Sequence, residues 1–80
     1  MITEITRAHI RLTLGEKTVT VEGEGFAPGY GSPDFVVYKN SIERWDPPFD
    51  VEVIDDIARE QILLEIKQEM SKKGMTIEIE

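Results

Sequence analysis

The 80-residue chain has no cysteine, one histidine and one tryptophan, and no apolar run in it approaches the ~20 residues that a bilayer span requires. Without cysteine there is no disulfide framework, the usual support of small secreted domains that cannot bury enough apolar surface unaided, so a reducing, cytoplasmic compartment is expected. The start, Met1-Ile2-Thr3-Glu4, lacks the basic-then-apolar order of a secretory signal. Positive charge is scarce as well: nine Lys and Arg stand against sixteen Asp and Glu, for a formal charge of −7. That field repels nucleic acid phosphates and anionic lipid while attracting basic surfaces, so neither direct nucleic acid binding nor membrane association is expected. A negative surface also serves simply to keep a small protein in solution, so charge by itself names no partner.

Catalytic equipment is equally sparse. Enzymes need a nucleophile with a base, a metal, or a tuned pair of acid-base groups, and the one histidine, His9, lies in the middle of an alternating segment. A cross-strand pair of His9 with Glu22 is expected there, and a solvated surface pair is the simpler reading of it. Gly23-Glu24-Gly25 with Gly29 and Gly31 superficially suggests a phosphate loop, but no helix follows, no Lys-Ser/Thr pair closes it and Glu24 would repel phosphate. Asp46, Asp50, Glu52, Asp55 and Asp56 could offer oxygens to calcium, yet they lack EF-hand spacing and its glycine. No enzyme activity, metal or cofactor is expected.

What the sequence does contain is clear periodicity. Ile10, Leu12 and Leu14 alternate with His9, Arg11 and Thr13 over residues 8–14, and Val19 and Val21 alternate with Thr18, Thr20 and Glu22 over residues 17–22. Both are half-buried strands, and Gly15-Glu16 between them suits a two-residue turn with glycine first. Closing the hairpin there sets Leu14 opposite Lys17, Leu12 opposite Val19, Ile10 opposite Val21, Arg11 opposite Thr20 and His9 opposite Glu22, so the apolar residues share one face. Residues 25–33, rich in Gly and Pro, read as a loop carrying Phe26 and Tyr30. Phe35-Val36-Val37-Tyr38 begins a third strand over 34–39, apolar on both sides or with its outer face against something else.

Residues 40–50 show no period, and Pro47-Pro48 is expected to hold them extended. Asp55-Asp56 starts the one convincing helix, and Lys72, Lys73 and Gly74 end it. Its stripe of Ala58, Ile62, Leu63, Ile66 and Met70 faces a sheet, and Ile57 and Leu64 fall nearly opposite. At about 25 Å, such a helix covers strands about 23 Å long. Ile77 and Ile79 alternate with Thr76, Glu78 and Glu80 in a final strand. The expected fold is one α+β domain over residues 1–80, β-β-β-α-β, with an antiparallel sheet and one helix packed on one face in two layers.

Aromatic and acidic residues are concentrated from Tyr38 onward, in Trp45, Asp46, Phe49 and Asp50, continuing into Glu52, Asp55 and Asp56. Trp and Tyr are enriched at binding hot spots, and neighbouring carboxylates steer basic partners. Tyr30, Tyr38, Trp45, Asp46, Phe49, Asp50, Glu52, Asp55 and Asp56 are therefore the expected partner-binding residues, although a domain this small also needs aromatics such as Trp45 and Phe49 for its core. Ile57 and Leu64 offer a small patch for a partner or for a second copy, which leaves a self-associating adaptor module as the alternative reading.

The run Phe35-Val36-Val37-Tyr38-Lys39-Asn40-Ser41-Ile42, then Trp45 and Pro47-Pro48, before an acidic helix and a last strand, resembles the immunity protein 74 family, small bacterial proteins attached to polymorphic toxin systems. The resemblance implies a cytoplasmic protein that binds and neutralises a cognate toxin, with no catalytic residue. It also gives the negative charge a purpose, since many such toxins attack nucleic acid and carry basic clefts. The Gly/Pro-rich segment 25–33 is longer than the resemblance leads one to expect, and specificity lies there if it reaches the partner.

Overall fold

Gly15 adopts φ +64° and Glu16 does not share that positive sign, as a turn with glycine in its first central position requires. The computed structural model describes residues 1–27 and 31–80; Tyr30 lies outside the described residues. The hairpin forms in the register its alternation predicts, with Leu14 opposite Lys17, Leu12 opposite Val19, Ile10 opposite Val21 and His9 opposite Glu22. Its strands are β2 (His9–Leu14) and β3 (Lys17–Gly25). The second is three residues longer than the alternation of 17–22 suggests, because Gly23-Glu24-Gly25 continues it as strand rather than opening a loop.

An additional strand, β1 (Ile2–Ile5), precedes the hairpin and pairs antiparallel with β2. Its register slips between Ile2 and Glu4, which stand opposite Leu12 and Arg11. Ile2 and Ile5 are three apart, so a regular strand would send them to opposite faces. The bulge restores both to the core, where they pack beside the buried cluster.

The last three residues of β3 pair on the opposite edge with β4 (Phe35–Val37), Gly23 facing Val37 and Gly25 facing Phe35. Phe35, Val36 and Val37 are all buried, as a strand apolar on both sides requires. After a short 3-10 turn at Lys39–Ser41 and the segment that follows, α1 (Asp56–Lys72) leads back to β5 (Ile77–Ile79). This strand pairs parallel to β4, with Val36 facing Glu78. The strand order is β1-β2-β3-β4-β5. The α+β class and the helix on one face are as expected, but the sheet is mixed rather than wholly antiparallel. A strand returning through a helical crossover runs in its predecessor's direction.

The core lies between the sheet and α1. Ile10, Leu12, Val19, Val21, Phe35 and Val37 from the strands meet Ile62, Leu63, Ile66 and Met70 from the helix, with Ile42 and Ile54 closing one end. The helix stripe is the predicted one, and Ile57 and Leu64 on its far side are exposed. No charged or polar residue is buried among the described residues. Glu69 ties the helix to β1, its two carboxylate oxygens accepting the Ile2 N–H at 3.0 and 2.9 Å. Burial pushes Glu69 up, but the Ile2 N–H, Glu65 and the Met1 amine outweigh it and hold the carboxyl below 4.5.

Two outcomes follow. A Cβ at Gly23 would collide with the Val36 carbonyl oxygen and the Phe35 ring, whereas at Gly25 its nearest neighbour, the Arg7 Cα, is 3.4 Å away. Gly23→Ala should cost at least the ~1–3 kcal/mol typical of overpacking, and Gly25→Ala much less, read from urea midpoints. Because the folded Glu69 carboxyl lies below its unfolded value of 4.5, its contribution is complete above that pH and fades as pH falls through the depressed folded value. The stability gap between the wild type and Glu69→Gln should therefore shrink on acidification; a constant gap would show that the carboxylate charge is not what matters.

Candidate functional site

Segment 43–54 is not extended through its prolines. Arg44 bridges Val53, the Ile54 N–H donates to the Glu43 carbonyl at 2.9 Å, and turns occupy 47–48 and 50–51 with the Pro47-Pro48 bond cis. Pro47-Pro48 therefore sits at the tip of a folded-back loop, which lies along the part of β3 that β4 does not reach. There the Asp46 N–H donates to the Thr18 carbonyl at 2.7 Å, and the Asp46 carboxylate accepts from the Thr20 hydroxyl at 2.9 Å, with Arg11 Nε 3.8 Å away.

Most of the expected partner-binding residues of this stretch have work inside the chain. Trp45 and Phe49 are both half-buried, and Lys17 Nζ stands 5.5 Å from each ring centroid and 2.7 Å from Glu52 Oε1. One ammonium thus joins two aromatic faces and a carboxylate, an arrangement favoured by ring quadrupole and charge together. Asp55 caps α1, its carboxylate accepting from the Ala58 N–H at 2.8 Å. Asp56 pairs with Arg59 at 2.6 Å one turn on, and Arg59 Nε in turn donates to the Ile42 carbonyl at 3.2 Å. Asp50 is exposed, and its carboxylate makes no hydrogen bond or salt bridge among the described residues, its backbone carbonyl alone accepting from Arg44.

Tyr38 belongs to a different neighbourhood, the sheet face away from the helix. Its hydroxyl donates to Glu24 Oε2 at 3.3 Å. Glu24 and Glu78 flank Val36 in register from β3 and β5, and Glu22 and Glu80 continue the two rows. Partial desolvation, then the charge and hydrogen bond of Glu24 and the charge of Glu80, push the Tyr38 phenol above its ordinary 10.0. Glu22, Glu24, Glu78 and Glu80 are exposed, and none forms a salt bridge among the described residues. Sequence reasoning missed them as a group. Each pair shows as outward residues at period 2, but only the parallel β4–β5 pairing brings the two pairs together.

The other end of the same face is charge-balanced. His9 Nε2 lies 2.9 Å from Glu4 Oε2, so the partner of His9 is Glu4 on β1 and not Glu22, although Glu22 stands opposite in the hairpin register. Arg11 Nη1 approaches the same carboxylate at 3.4 Å. The bond from His9, followed by the charges of Arg11 and His9, holds the Glu4 carboxyl below 4.5 against some desolvation. The face therefore runs from a neutralised cluster at β1–β2 to an uncompensated negative one at β3–β5.

Apolar side chains are exposed elsewhere as well. Val51, Val53, Ile57 and Leu64 are exposed, and Ile57 and Leu64 line a shallow groove with Asp56, Glu60 and Gln61. Among the described residues no three His, Asp or Glu side chains converge as metal ligands, and no helix is long and apolar enough to cross a membrane.

A pH titration of phenolate absorbance in a Tyr30→Phe background should place the Tyr38 midpoint above 10, and Glu24→Gln should move it back towards 10. Equal midpoints in the two proteins would mean that Glu24 does not govern the phenol. Asp55→Ala should cost about 1 kcal/mol through loss of the cap, read from thermal or urea unfolding.

No curated protein and no solved structure matches this sequence. The profile of one family does match it, and the match runs from residue 2 to residue 80, taking in the Tyr38 to Pro48 stretch, the helix and both rows of acids. The chain belongs to the immunity protein 74 family.

Proposed function

We propose that this protein neutralises a cognate bacterial toxin in the cytoplasm by direct contact, without chemistry of its own. The observation that carries the reading is the uncompensated negative half of the sheet face, where Tyr38 stands among Glu22, Glu24, Glu78 and Glu80. A membership that implies a toxin partner and a face that attracts basic surfaces point to the same kind of complex. The toxin surface it meets is basic, such as the substrate cleft of a nuclease, and an aromatic ring in a carboxylate field fits guanidinium and ammonium groups. Among the residues expected from sequence, Tyr38 and Asp50 are free to contribute directly. Trp45, Asp46, Phe49, Glu52, Asp55 and Asp56 act on binding through the shape of the segment they hold.

Expression of the product of the neighbouring gene should arrest growth, and co-expression of the wild type should restore it. Affinity should fall steeply between low and high salt, and Glu22→Gln with Glu24→Gln should slow association more than it speeds release. Protection with salt-indifferent affinity would retain neutralisation and remove its electrostatic basis. A toxin unaffected by the protein would remove the reading altogether.

A second reading, a self-associating module, is favoured by one observation: Ile57 and Leu64 stand exposed seven residues apart on the outer side of α1. Sedimentation equilibrium over a range of concentrations tests it. A dimer dispersed by Leu64→Glu would support it, and a concentration-independent monomer would dismiss it.

A further inference from the structure

The two edges of the sheet are protected unequally. At β1 the strand is bulged, and the Glu69 carboxylate caps the outward Ile2 N–H. These are devices that keep an edge from pairing further. At β5, by contrast, the Phe35 N–H donates to the Thr76 carbonyl at 3.2 Å, the Glu80 N–H to the Val37 carbonyl at 2.8 Å, and the Lys39 N–H to the Glu80 carbonyl at 2.8 Å. Pairing with β4 uses the even-numbered residues. Alternation in a parallel ladder therefore points the N–H and C=O groups of Ile77 and Ile79 the other way, along an edge beyond which no strand lies among the described residues.

We propose that this open edge receives a strand of the toxin, extending the sheet by one, and that the strand alternates basic and apolar side chains. The assignment rests on the toxin-neutralising reading and specifies where and how contact is made. Backbone hydrogen bonds supply the pairing, and the side chains flanking β5 select the occupant. On the outer face the incoming residues lie beside Glu78 and Glu80, with Glu24 and Tyr38 behind them, which calls for Lys or Arg. On the helix face they lie beside Ile77 and Ile79, both half-buried against the core, which calls for apolar side chains. The same charges reject a second copy of this chain. Antiparallel pairing of β5 with itself about Glu78 sets Glu78 against Glu78 and each Glu80 diagonal to the other copy's Glu78, a like-charge arrangement that destabilises a ladder.

The test uses the full chain and the toxin it neutralises in the co-expression assay. Ile79→Pro deletes an outward N–H that β4 does not need, a substitution edge strands tolerate, and Ile79→Ala removes the same side-chain packing while keeping that N–H. Glu78→Gln with Glu80→Gln alters charge and leaves the core untouched. The proposal expects Ile79→Pro to bind about tenfold more weakly than Ile79→Ala, and the double Gln variant to lose about tenfold at low salt with a shallower salt dependence. Ile79→Pro equal to Ile79→Ala, or a double variant equal to a wild type that binds, would overturn it. A dimer of the chain alone that Ile79→Pro disperses would overturn the choice of occupant.

Failure of the wild type to bind that toxin counts against the function reading and is told apart by a peptide probe. A short peptide alternating lysine and valine is compared with one of the same composition whose lysines form a block. Slowed exchange of the Ile77 and Ile79 amides with the alternating peptide only upholds the edge as a strand acceptor, and equal exchange with both peptides overturns it.

Discussion

Phe35 fills the space that a side chain at Gly23 would occupy, and this contact between a ring and a bare backbone is what lets β4 lie against the far half of β3. Glycine weakens a strand interior through its entropy and its missing side chain, so its use here marks a place where something must approach closely. Most of the rest follows from that approach. Once β4 is seated it provides the edge on which β5 forms, and α1 has to span from one to the other across the hydrophobic face. With Val36 between them, Glu24 and Glu78 become neighbours although they are remote in sequence. The packing of one aromatic ring thus fixes the position of the charges on the opposite side of the sheet.

What could be read from sequence was what is encoded locally. The hairpin register emerged because Gly15 and two alternating runs specify one closure. The helix emerged because Asp55, Gly74 and the Ile62-Leu63-Ile66-Met70 stripe agree. The first strand stayed hidden because Ile2 and Ile5 have a spacing no regular strand can use, and a bulge is invisible to a period-2 search. The direction of β5 was hidden for another reason: alternation states which side chains face inward, and carries no information on which neighbour they pair with.

The candidate site shows the same division. A dense run of acids and aromatics from Tyr38 to Asp56 reads as a surface, because composition does not distinguish a carboxylate facing solvent from one capping a helix. In the folded chain Asp55 caps, Asp56 and Glu52 pair, and Asp46 fastens the loop to β3. The free acids that gather on the sheet face come in two short pairs far apart in the chain, each too ordinary to draw notice. Their meeting requires a non-local strand pairing. Because the acids of the Tyr38 to Asp56 stretch carry the internal contacts, the four on the sheet face can vary without disturbing the loop or the helix start.

The cage of Trp45, Phe49 and Glu52 around Lys17 has a consequence for watching the molecule fold. The only tryptophan sits on a loop that reaches its cation from far along the chain, so its fluorescence reports a long-range closure rather than the local formation of hairpin or helix. Contacts of that kind form late when loop entropy must be overcome first. Tryptophan fluorescence and backbone signals thus watch different parts of the chain: coincident signals would show loop and sheet closing together, and a lag between them would measure how long the sheet waits for its loop.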